Sequence, residues 1–361
     1  MTRFSTTVTE RGSFRTCRRQ WYLEVQERLA HKNRVAWALI FGECIHSALE
    51  VYYKKNERSL AKALSAFKRA WTKYDVELEE QYGGLYKSGI EEEWEMYKDK
   101  GLRMLTYYKQ YDDQAEFDFE QVIAVNIEAR AFVDILDPYS EERLPGLPLL
   151  SGRIDLVVER KDGIWIWDHK TAASAYTARA LDIDDQLTGY CYIYWRLTGD
   201  MPRGAIYNAL IKEPPGPPKE LQSGALSKDK AQRTTYALYM QAIKDGDHDP
   251  GDYEEILEYL KEKKWSQFFM REGVTMNEEQ LLSFEQRLYH EYLDMDKCIE
   301  KPEWAYPNPS QRTCPMCGVL PICQAMEERG DPEYIKDNMF NVEEVRAKIP
   351  KTILSPKWEG V

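Results

Sequence analysis

The order of hydrophobic and polar positions predicts helices over the first third of the chain. A helical repeat begins after Gly42. Two longer amphipathic patterns occupy residues 60–81 and 91–114, and the pair Gly83-Gly84 separates them. We therefore expect this region to be helical, with a break at the two glycines.

The pattern then changes from helix to strand. β-branched and apolar residues dominate segments 122–133, 152–159 and 163–171. A helical pattern over residues 184–197 and a short apolar run over 205–211 follow. This order predicts an α/β fold in which a central mixed sheet with a largely antiparallel start is flanked by helices.

The second half of the chain reads as a loop followed by helices. Residues 212–219 contain four prolines and a glycine, which excludes a helix or a central strand there. Helical patterns resume at 229–245, 253–265 and 277–300, and prolines then interrupt the chain. We expect three parts: an α/β region (1–211), a proline-rich loop with a helical insertion (212–300) and a cysteine-rich C-terminal segment (301–361).

The composition excludes a mainly disordered chain. Of 361 residues, 43% are hydrophobic and 30% are charged. No apolar stretch approaches the roughly 20 residues needed to span a bilayer. The first 12 residues are polar and lack the apolar centre of a signal peptide. We therefore expect a cytoplasmic protein without a membrane partner.

The charge is distributed unevenly along the chain. The net charge of -12 argues against a protein that coats nucleic acid through bulk positive charge. Residues 1–34 nevertheless contain eight Lys and Arg against three acidic residues, which gives +5 there and -17 elsewhere. A local basic surface near the N-terminus is compatible with this distribution.

Two apolar strand patterns predict a β-hairpin with a tight turn at Asp162-Gly163. If the turn is centred before Asp162, Asp155 lies opposite Asp168, and if it is centred after Asp162, Asp155 lies opposite Lys170. The three polar side chains converge in both registers, because Asp168 and Lys170 share one face of their strand.

This convergence of Asp155, Asp168 and Lys170 points to chemistry rather than packing. A surface salt bridge is the ordinary explanation of an Asp-x-Lys sequence, but unpaired buried charges cost several kcal/mol each. Two close carboxylates bind a hard cation such as Mg²⁺ or Mn²⁺, which lowers the pKa of its water. The lysine can orient that nucleophile or stabilise phosphorane charge. The hairpin therefore predicts phosphodiester hydrolysis.

The same residues resemble a known family. Asp155, twelve intervening residues and then Asp168-His169-Lys170 are similar to the core motif of the PD-(D/E)XK nucleases. The form is that of the RecB-like exonuclease branch, in which the first acid follows Gly-Arg-Ile, and Ile154 here replaces the proline of the superfamily's name. The resemblance implies a restriction-endonuclease-like fold and a metal-dependent DNA exonuclease.

Further segments agree with that branch. Residues 42–46 are similar to its Gly-x-x-x-His motif and residues 186–190 to its Gln-x-x-x-Tyr motif. The resemblance implies that His46 and Glu128 are additional metal ligands and that Gln186 and Tyr190 belong to the catalytic site. Imidazole beside oxygen ligands is typical of activity with Mn²⁺. The alternatives are a histidine bonded within its own helix and ordinary helix-surface residues.

Three cysteines near the C-terminus have the spacing Cys-x2-Cys-x5-Cys: Cys314, Cys317 and Cys323. In a reducing compartment, clustered cysteines are better explained as metal ligands than as disulfides. Cys17 lies in a segment similar to the N-terminal Cys-x-Arg-x-aromatic-aromatic segment of RecB-like nucleases with a [4Fe-4S] cluster, such as AddB and the CRISPR-associated RecB-like exonucleases. The resemblance implies that these four cysteines bind such a cluster, and zinc is the alternative.

The implied cluster would have a structural role. It would close a loop of about 300 residues, which stabilises a fold by about 5 kcal/mol in the chain-entropy model. We expect its loss to unfold the two ends of the chain. The other cysteines, Cys44, Cys191 and Cys298, fit no ligand spacing and are predicted to be buried thiols.

The residues around Cys17 suggest a contact with DNA. Arg15, Arg18, Arg19 and Trp21 would form a basic, aromatic edge that tracks phosphates and stacks bases. We expect single- or double-stranded DNA ends as the substrate and a recombination or annealing protein as a partner, in recombination, repair or end processing. A non-catalytic DNA-binding scaffold and a structure-specific endonuclease are the alternatives.

Overall fold

The structure is a computed structural model that describes residues 5–32, 37–87, 91–114, 121–125, 131–140, 149–173, 181–263, 265 and 267–342. Its helices are α1 (Val8–Thr16), α2 (Arg18–Trp21), α3 (Trp37–Tyr53), α4 (Leu60–Lys87), α5 (Glu91–Gln114), α6 (Asp185–Thr198), α7 (Tyr236–Asp245), α8 (Glu254–Lys263), α9 (Glu278–Glu300), α10 (Leu320–Glu327) and α11 (Pro332–Met339). Its strands are β1 (Ser5–Thr7), β2 (Leu29–His31), β3 (Gln121–Val125), β4 (Ala131–Asp134), β5 (Leu149–Gly152), β6 (Leu156–Arg160), β7 (Gly163–Ala172), β8 (Gly204–Ile211), β9 (Phe269–Thr275) and β10 (Phe340–Val342).

A five-stranded mixed sheet with the order β3-β6-β7-β8-β9 forms the centre. Among the described strand pairs of this sheet only β7–β8 is parallel, and α6 lies in the crossover between these two strands. The predicted α/β fold with a mixed central sheet flanked by helices is therefore confirmed. A smaller sheet has the strand order β1-β5-β4, in which β1 pairs parallel and β4 antiparallel with β5.

Alternating side chains of β7 cover the two faces of the central sheet. Trp165 and Trp167 join an apolar cluster with residues of α3, α4 and α5. Ile166, on the opposite face, joins a second cluster with residues of α6 and α9, among them Leu187 and Phe284. The sheet is therefore buried on both sides, as expected for a sheet between layers of helices.

The β6–β7 hairpin adopts the first of the two predicted registers, and its turn residues lie one position before the predicted Asp162-Gly163 pair. Arg160 pairs with Gly163, so the two turn residues are Lys161 and Asp162. Gly163 begins β7 with a φ of +126°, a backbone conformation that other residues rarely adopt. The glycine thus belongs to the start of the strand.

The predicted break at Gly83-Gly84 is wrong, because α4 continues through both glycines to Lys87. A glycine costs a helix only about 1 kcal/mol relative to alanine, unlike proline. The prediction for α6 is confirmed within one residue, and the Asp184 side chain caps this helix by accepting hydrogen bonds from two main-chain N–H groups.

The region between residues 212 and 300 contains one strand that the sequence pattern did not reveal. β9 pairs antiparallel with β8 and completes the central sheet. Residues 213–219 have the irregular backbone expected from their prolines. Helices α7 and α8 enclose a small apolar core of their own, in which Tyr239, Tyr253 and Ile256 are buried. The proposed division into three parts stays a prediction.

The N-terminal and C-terminal regions meet in space. β2 pairs antiparallel with β10. Two apolar clusters join the same regions, one around Trp21 and Met295 and the other around Leu23 and Ile322. Cys17 is thereby brought to the C-terminal cysteines.

Among the helices of the described residues, none combines the length and apolar composition that crossing a bilayer requires.

Candidate active site

The hairpin brings Asp155, Asp168 and Lys170 together. The observed pairing of Leu156 with Trp167, carried back by one residue, puts Asp155 opposite Asp168, which is the first of the two predicted registers. Lys170 Nζ donates to Asp168 Oδ1 at 3.0 Å. The two carboxylates are nearly buried, at 9% and 2% exposed.

Both oxygens of Asp155 are engaged. The main-chain N–H of His169 donates to Asp155 Oδ2 at 2.8 Å. His46, on α3, has Nδ1 3.1 Å from Asp155 Oδ1. The histidine from the helical first third of the chain is thus in contact with the predicted first acid, which directly precedes β6.

The environment shifts the two carboxyl groups in opposite directions. Burial alone would raise the pKa of Asp155, but the charge and hydrogen bond of His46, together with His169, lower it to about 2. Burial raises the pKa of Asp168 to about 6, against the attraction of Lys170 and with help from the charge of Asp155. Asp155 is therefore the more acidic of the two.

The cationic partners are shifted towards their charged forms. Burial lowers the pKa of Lys170, but the charge of Asp168 and its hydrogen bond outweigh this effect and raise the pKa overall. The pKa of His46 is also raised, because Asp155 outweighs the opposing effect of burial. Lys170 is consequently an ammonium ion at neutral pH.

The second oxygen of Asp168 differs from the other three carboxylate oxygens of this group. Within the described part of the chain, Asp168 Oδ2 is buried without a hydrogen bond. A buried, unpartnered carboxylate oxygen next to a second carboxylate fits a hard divalent cation, which prefers oxygen ligands. No three His, Cys, Asp or Glu side chains of the described residues converge closely enough to enclose a metal ion. Glu128, a predicted ligand, lies outside those residues.

Helix α6 adds Gln186 and Tyr190, which share a face as predicted. Gln186 Nε2 donates to the Tyr190 hydroxyl at 2.8 Å. Burial raises the pKa of Tyr190, and the negative charges of Asp168 and Asp155 raise it further. The phenol therefore stays protonated. It lies close enough to the two carboxylates for their charges to raise its pKa.

Two glycines of the motifs, Gly152 and Gly42, differ in how tightly their surroundings are packed. A Cβ atom on Gly152 would lie 2.6 Å from Ile193 Cδ1 and 3.1 Å from Tyr190 Cε1. A Cβ atom on Gly42 would meet Thr171 Oγ1 at 3.4 Å, which is ordinary contact. Gly152 thus leaves room for the side chains of Ile193 and Tyr190 of α6, whereas Gly42 has space for a side-chain carbon.

The four predicted ligand cysteines line a single cavity of about 250 Å³. Each sulfur receives a hydrogen bond. The Asn308 and Ser310 main-chain N–H groups donate to Cys17 at 3.4 Å and to Cys314 at 3.3 Å. Arg19 donates to Cys323 at 3.6 Å, and Cys317 is hydrogen-bonded by the Val319 main chain. The other three cysteines are buried thiols, as predicted: Cys44, Cys191 and Cys298.

The predicted DNA-binding edge near Cys17 requires a correction at Trp21. This side chain is fully buried, and its indole N–H donates to Glu10 at 2.7 Å, so it cannot stack on a base. The arginines of the edge are paired with carboxylates: Arg15 with Asp185 at 2.9 Å, Arg18 with Asp294 at 2.9 Å and Arg19 with Glu327 at 2.5 Å. Their net positive potential is correspondingly reduced.

Sequence reasoning missed several polar residues near the site. Arg11 of α1 is fully buried and lies 2.9 Å from Asp185, next to Gln186. Asn208 and Arg271 are buried on β8 and β9, behind the candidate site. The sequence pattern around each residue does not reveal its role, because the three residues lie on different elements and β9 was not predicted.

Comparison with known proteins agrees with this geometry. A search of curated proteins gave no match. The family model of the PD-(D/E)XK nuclease superfamily matches residues 5–324, nearly the whole chain. Nucleases of this superfamily use divalent metal ions such as Mg²⁺ or Mn²⁺. The chain therefore belongs to the PD-(D/E)XK nuclease superfamily.

Proposed function

We propose that this protein is a metal-dependent DNA exonuclease that hydrolyses phosphodiester bonds from DNA ends. The observation that carries the proposal is the pair of buried carboxylates beside a charged lysine, with Asp168 Oδ2 left without a partner among the described residues. Asp155 and Asp168 would hold Mg²⁺ or Mn²⁺, with His46 and Glu128 as additional ligands. Nuclease superfamily membership supports this assignment.

Each of these side chains has a distinct part in hydrolysis. A bound divalent cation would supply Lewis acidity at the scissile phosphate. Asp155 is kept ionised by His46 and the His169 N–H. Lys170, charged beside Asp168, would donate from Nζ to the attacking water or to the phosphate oxygen on which charge develops. The amide of Gln186 and the hydroxyl of Tyr190 would contact a neighbouring phosphate oxygen.

The test of exonuclease action is the digestion of 5′-labelled and 3′-labelled linear DNA with circular controls. Single- and double-stranded substrates are incubated with the protein in Mg²⁺ and in Mn²⁺. We expect degradation only of DNA with ends, and the label released first gives the polarity. Cleavage of circles would instead favour a structure-specific endonuclease. Metal-dependent binding without any cleavage would favour a DNA-binding scaffold.

We further propose that Cys17, Cys314, Cys317 and Cys323 bind a [4Fe-4S] cluster. Support comes from the cavity that all four line and from the hydrogen bonds that each sulfur accepts, since such bonds stabilise cluster thiolates. A single zinc ion held by the same four sulfurs is the alternative.

Metal analysis of anaerobically purified protein tests this assignment. We expect about four iron and four sulfide per chain, a brown colour and a Mössbauer spectrum of a cubane cluster. One zinc per chain without sulfide would contradict it. A Cys314→Ser variant should lose the bound iron, whereas Cys298→Ala, which removes a buried thiol outside the cavity, should retain it.

A further inference from the structure

A buried polar network lies directly behind the candidate metal site. It connects strands β7, β8 and β9 of the central sheet to helices α3 and α5. Its members are at most 7% exposed: His169, Asn208, Arg271, Tyr53, Tyr108 and Asp112. Such a concentration of polar groups in a core is expensive unless every group is satisfied, and apolar residues would serve packing equally well.

The hydrogen bonds of Asn208 fix the orientation of its amide. Arg271 Nε donates to Asn208 Oδ1 at 3.0 Å. Because a guanidinium group can only donate, the amide oxygen must face Arg271 and the amide nitrogen must face the other way. Asn208 Nδ2 lies 2.8 Å from His169 Nδ1 and 2.9 Å from the Tyr108 hydroxyl.

This orientation fixes the tautomer of His169. Since Asn208 Nδ2 can only donate, His169 Nδ1 must be the acceptor, so the proton of the neutral ring is on Nε2. The ring is also held from one side by Tyr53, whose ring stacks on it at a centroid distance of 5.6 Å and an angle of 12°. The hydrogen bond from Asn208 thus holds the imidazole within its plane, and the stacking on Tyr53 hinders its rotation.

Arg271 is anchored at its other end. Its Nη2 atom forms an ion pair with Asp112 and donates to the Tyr108 hydroxyl at 2.8 Å. Tyr52 donates to the second oxygen of Asp112 at 2.7 Å. Arg271 is therefore rigidly held, and its hydrogen bond to Asn208 fixes the position of the Asn208 amide.

The network reaches the candidate metal site through the main chain. His169 lies between Asp168 and Lys170, and its N–H donates to Asp155 Oδ2 at 2.8 Å. A change in the position of His169 would therefore move both carboxylates at once. We propose that Asn208, oriented by Arg271, is a positioning residue for the metal site that acts through His169. This inference rests on the proposed function, in which Asp155 and Asp168 hold the divalent ion.

The test is the Mn²⁺ affinity of the full-length protein, measured by calorimetry without DNA. Removal of an outer-shell partner typically weakens metal binding by about 10-fold to 100-fold. We expect a loss of that size in Asn208→Ala and a loss of all binding at this site in Asp168→Ala. The matched control is Tyr239→Phe, which removes a buried hydroxyl that donates to Ser227 O in the helical insertion. It should change the Mn²⁺ affinity by less than about twofold.

Two variants of His169 separate positioning from general packing. Asparagine places an oxygen where His169 Nδ1 lies and can accept from Asn208, whereas glutamine places its polar group near Nε2 instead. Both remove the ring and its stacking on Tyr53. We expect His169→Asn to bind Mn²⁺ about tenfold more tightly than His169→Gln, because only the former restores the bond to Asn208.

The wild-type protein offers a direct measurement that needs no variant. His169 is one of five histidines, and the ¹⁵N chemical shifts of its ring report the tautomer. We expect the proton on Nε2, and a proton on Nδ1 would overturn the proposal. So would a folded Asn208→Ala protein with wild-type Mn²⁺ affinity, although the nuclease proposal would then stand. Wild-type protein that binds no Mn²⁺ would overturn the metal site and this role together.

Discussion

At the scale of one residue, the buried carboxylate of Asp168 suits a metal site but lowers the stability of the folded protein. Its carboxylate is buried, and one of its oxygens has no hydrogen bond within the described residues. Burial raises its pKa from 3.8 to about 6. The folded protein thus holds a proton that the unfolded chain has already released between these two pH values, and folding becomes less favourable as the pH rises through that range.

We predict that Asp168→Asn stabilises the protein while abolishing cleavage. The full pKa shift, which already includes the attraction of Lys170, corresponds to an upper limit of about 3 kcal/mol at neutral pH. The expected increase in the free energy of unfolding is about 1–2 kcal/mol, measured by urea denaturation in EDTA.

The pH dependence distinguishes this cause from improved packing. The difference between Asp168→Asn and wild type should vanish below the ordinary pKa of 3.8, where the native carboxyl is protonated in both states. The exposed control Asp200→Asn should change stability by less than about 0.5 kcal/mol at any pH. A variant that is less stable than wild type at neutral pH would contradict the account.

At the scale of elements, α1 holds α6 in position beside the sheet. Arg11 is fully buried, its Nε donates to Glu291 of α9 at 2.7 Å, and its guanidinium lies 4.4 Å from the Phe284 ring centre. It also pairs with Asp185 at the start of α6. The side chain of Thr9, on the same helix, hydrogen-bonds to Tyr190. The N-terminal helix is therefore coupled to the predicted catalytic residues of α6.

We predict that Arg11→Met destabilises the protein by about 2–3 kcal/mol and lowers the cleavage rate. The substitution removes the fully buried partner of Asp185 and Glu291, and the more exposed Arg15 still pairs with both carboxylates, so the cost stays below that of an uncompensated buried charge. Arg103→Met is the matched control, because its partner Asp99 is 66% exposed and such pairs contribute about 1 kcal/mol or less. Thermal denaturation and DNA digestion are the measurements. Equal losses in both variants would contradict the coupling of α1 to α6.

Elements with a local signal could be predicted from the sequence, and those without one could not. The hairpin follows from two alternating strands and a turn, so even its two possible registers could be written down. β9 was missed because its alternation is interrupted by Arg271, Glu272 and Gly273, and its pairing with β8 spans distant parts of the chain.

The same limit applies to side chains whose surroundings come from tertiary structure. Trp21 lies next to arginines in the sequence, which suggests an exposed aromatic residue. Packing against Phe14, Met295 and Ala305 buries it completely. The burial of Arg271 and its bond to Asn208 likewise depend on contacts that no sequence pattern reports.

At the scale of the whole molecule, the two ends of the chain form one unit. The three-residue strands β2 and β10 pair, and Lys32 Nζ donates to the Asp337 carbonyl at 2.6 Å. Small apolar clusters add to this contact. These interactions are modest in extent, so the proposed cluster on the four cysteines would be the strongest link between the ends.

We predict that Cys314→Ser destabilises this unit selectively. The expected loss is about 2–5 kcal/mol, below the full value of a cross-link over such a long loop because β2, β10 and the apolar clusters still join the ends. Hydrogen–deuterium exchange should increase in residues 8–31 and 314–342, whereas β6, β7 and β8 keep their protection. Cys298→Ala should leave the exchange pattern unchanged. Unaltered exchange in Cys314→Ser would contradict a structural role of the cluster.

The central claim is that Asp155, Asp168 and Lys170 form one metal-dependent site for DNA hydrolysis. The most direct test is the digestion of linear DNA by wild type, Lys170→Ala and Lys161→Ala, in Mn²⁺ and in EDTA. Lys161 is the matched control because it is an exposed lysine in the turn of the same hairpin.

We expect wild type and Lys161→Ala to cleave DNA at similar rates in Mn²⁺ and not at all in EDTA. Lys170→Ala should lose at least about 100-fold in rate, because a charged donor to the developing phosphorane is removed. Undiminished cleavage by a folded Lys170→Ala protein, or cleavage that persists in EDTA, would contradict the account.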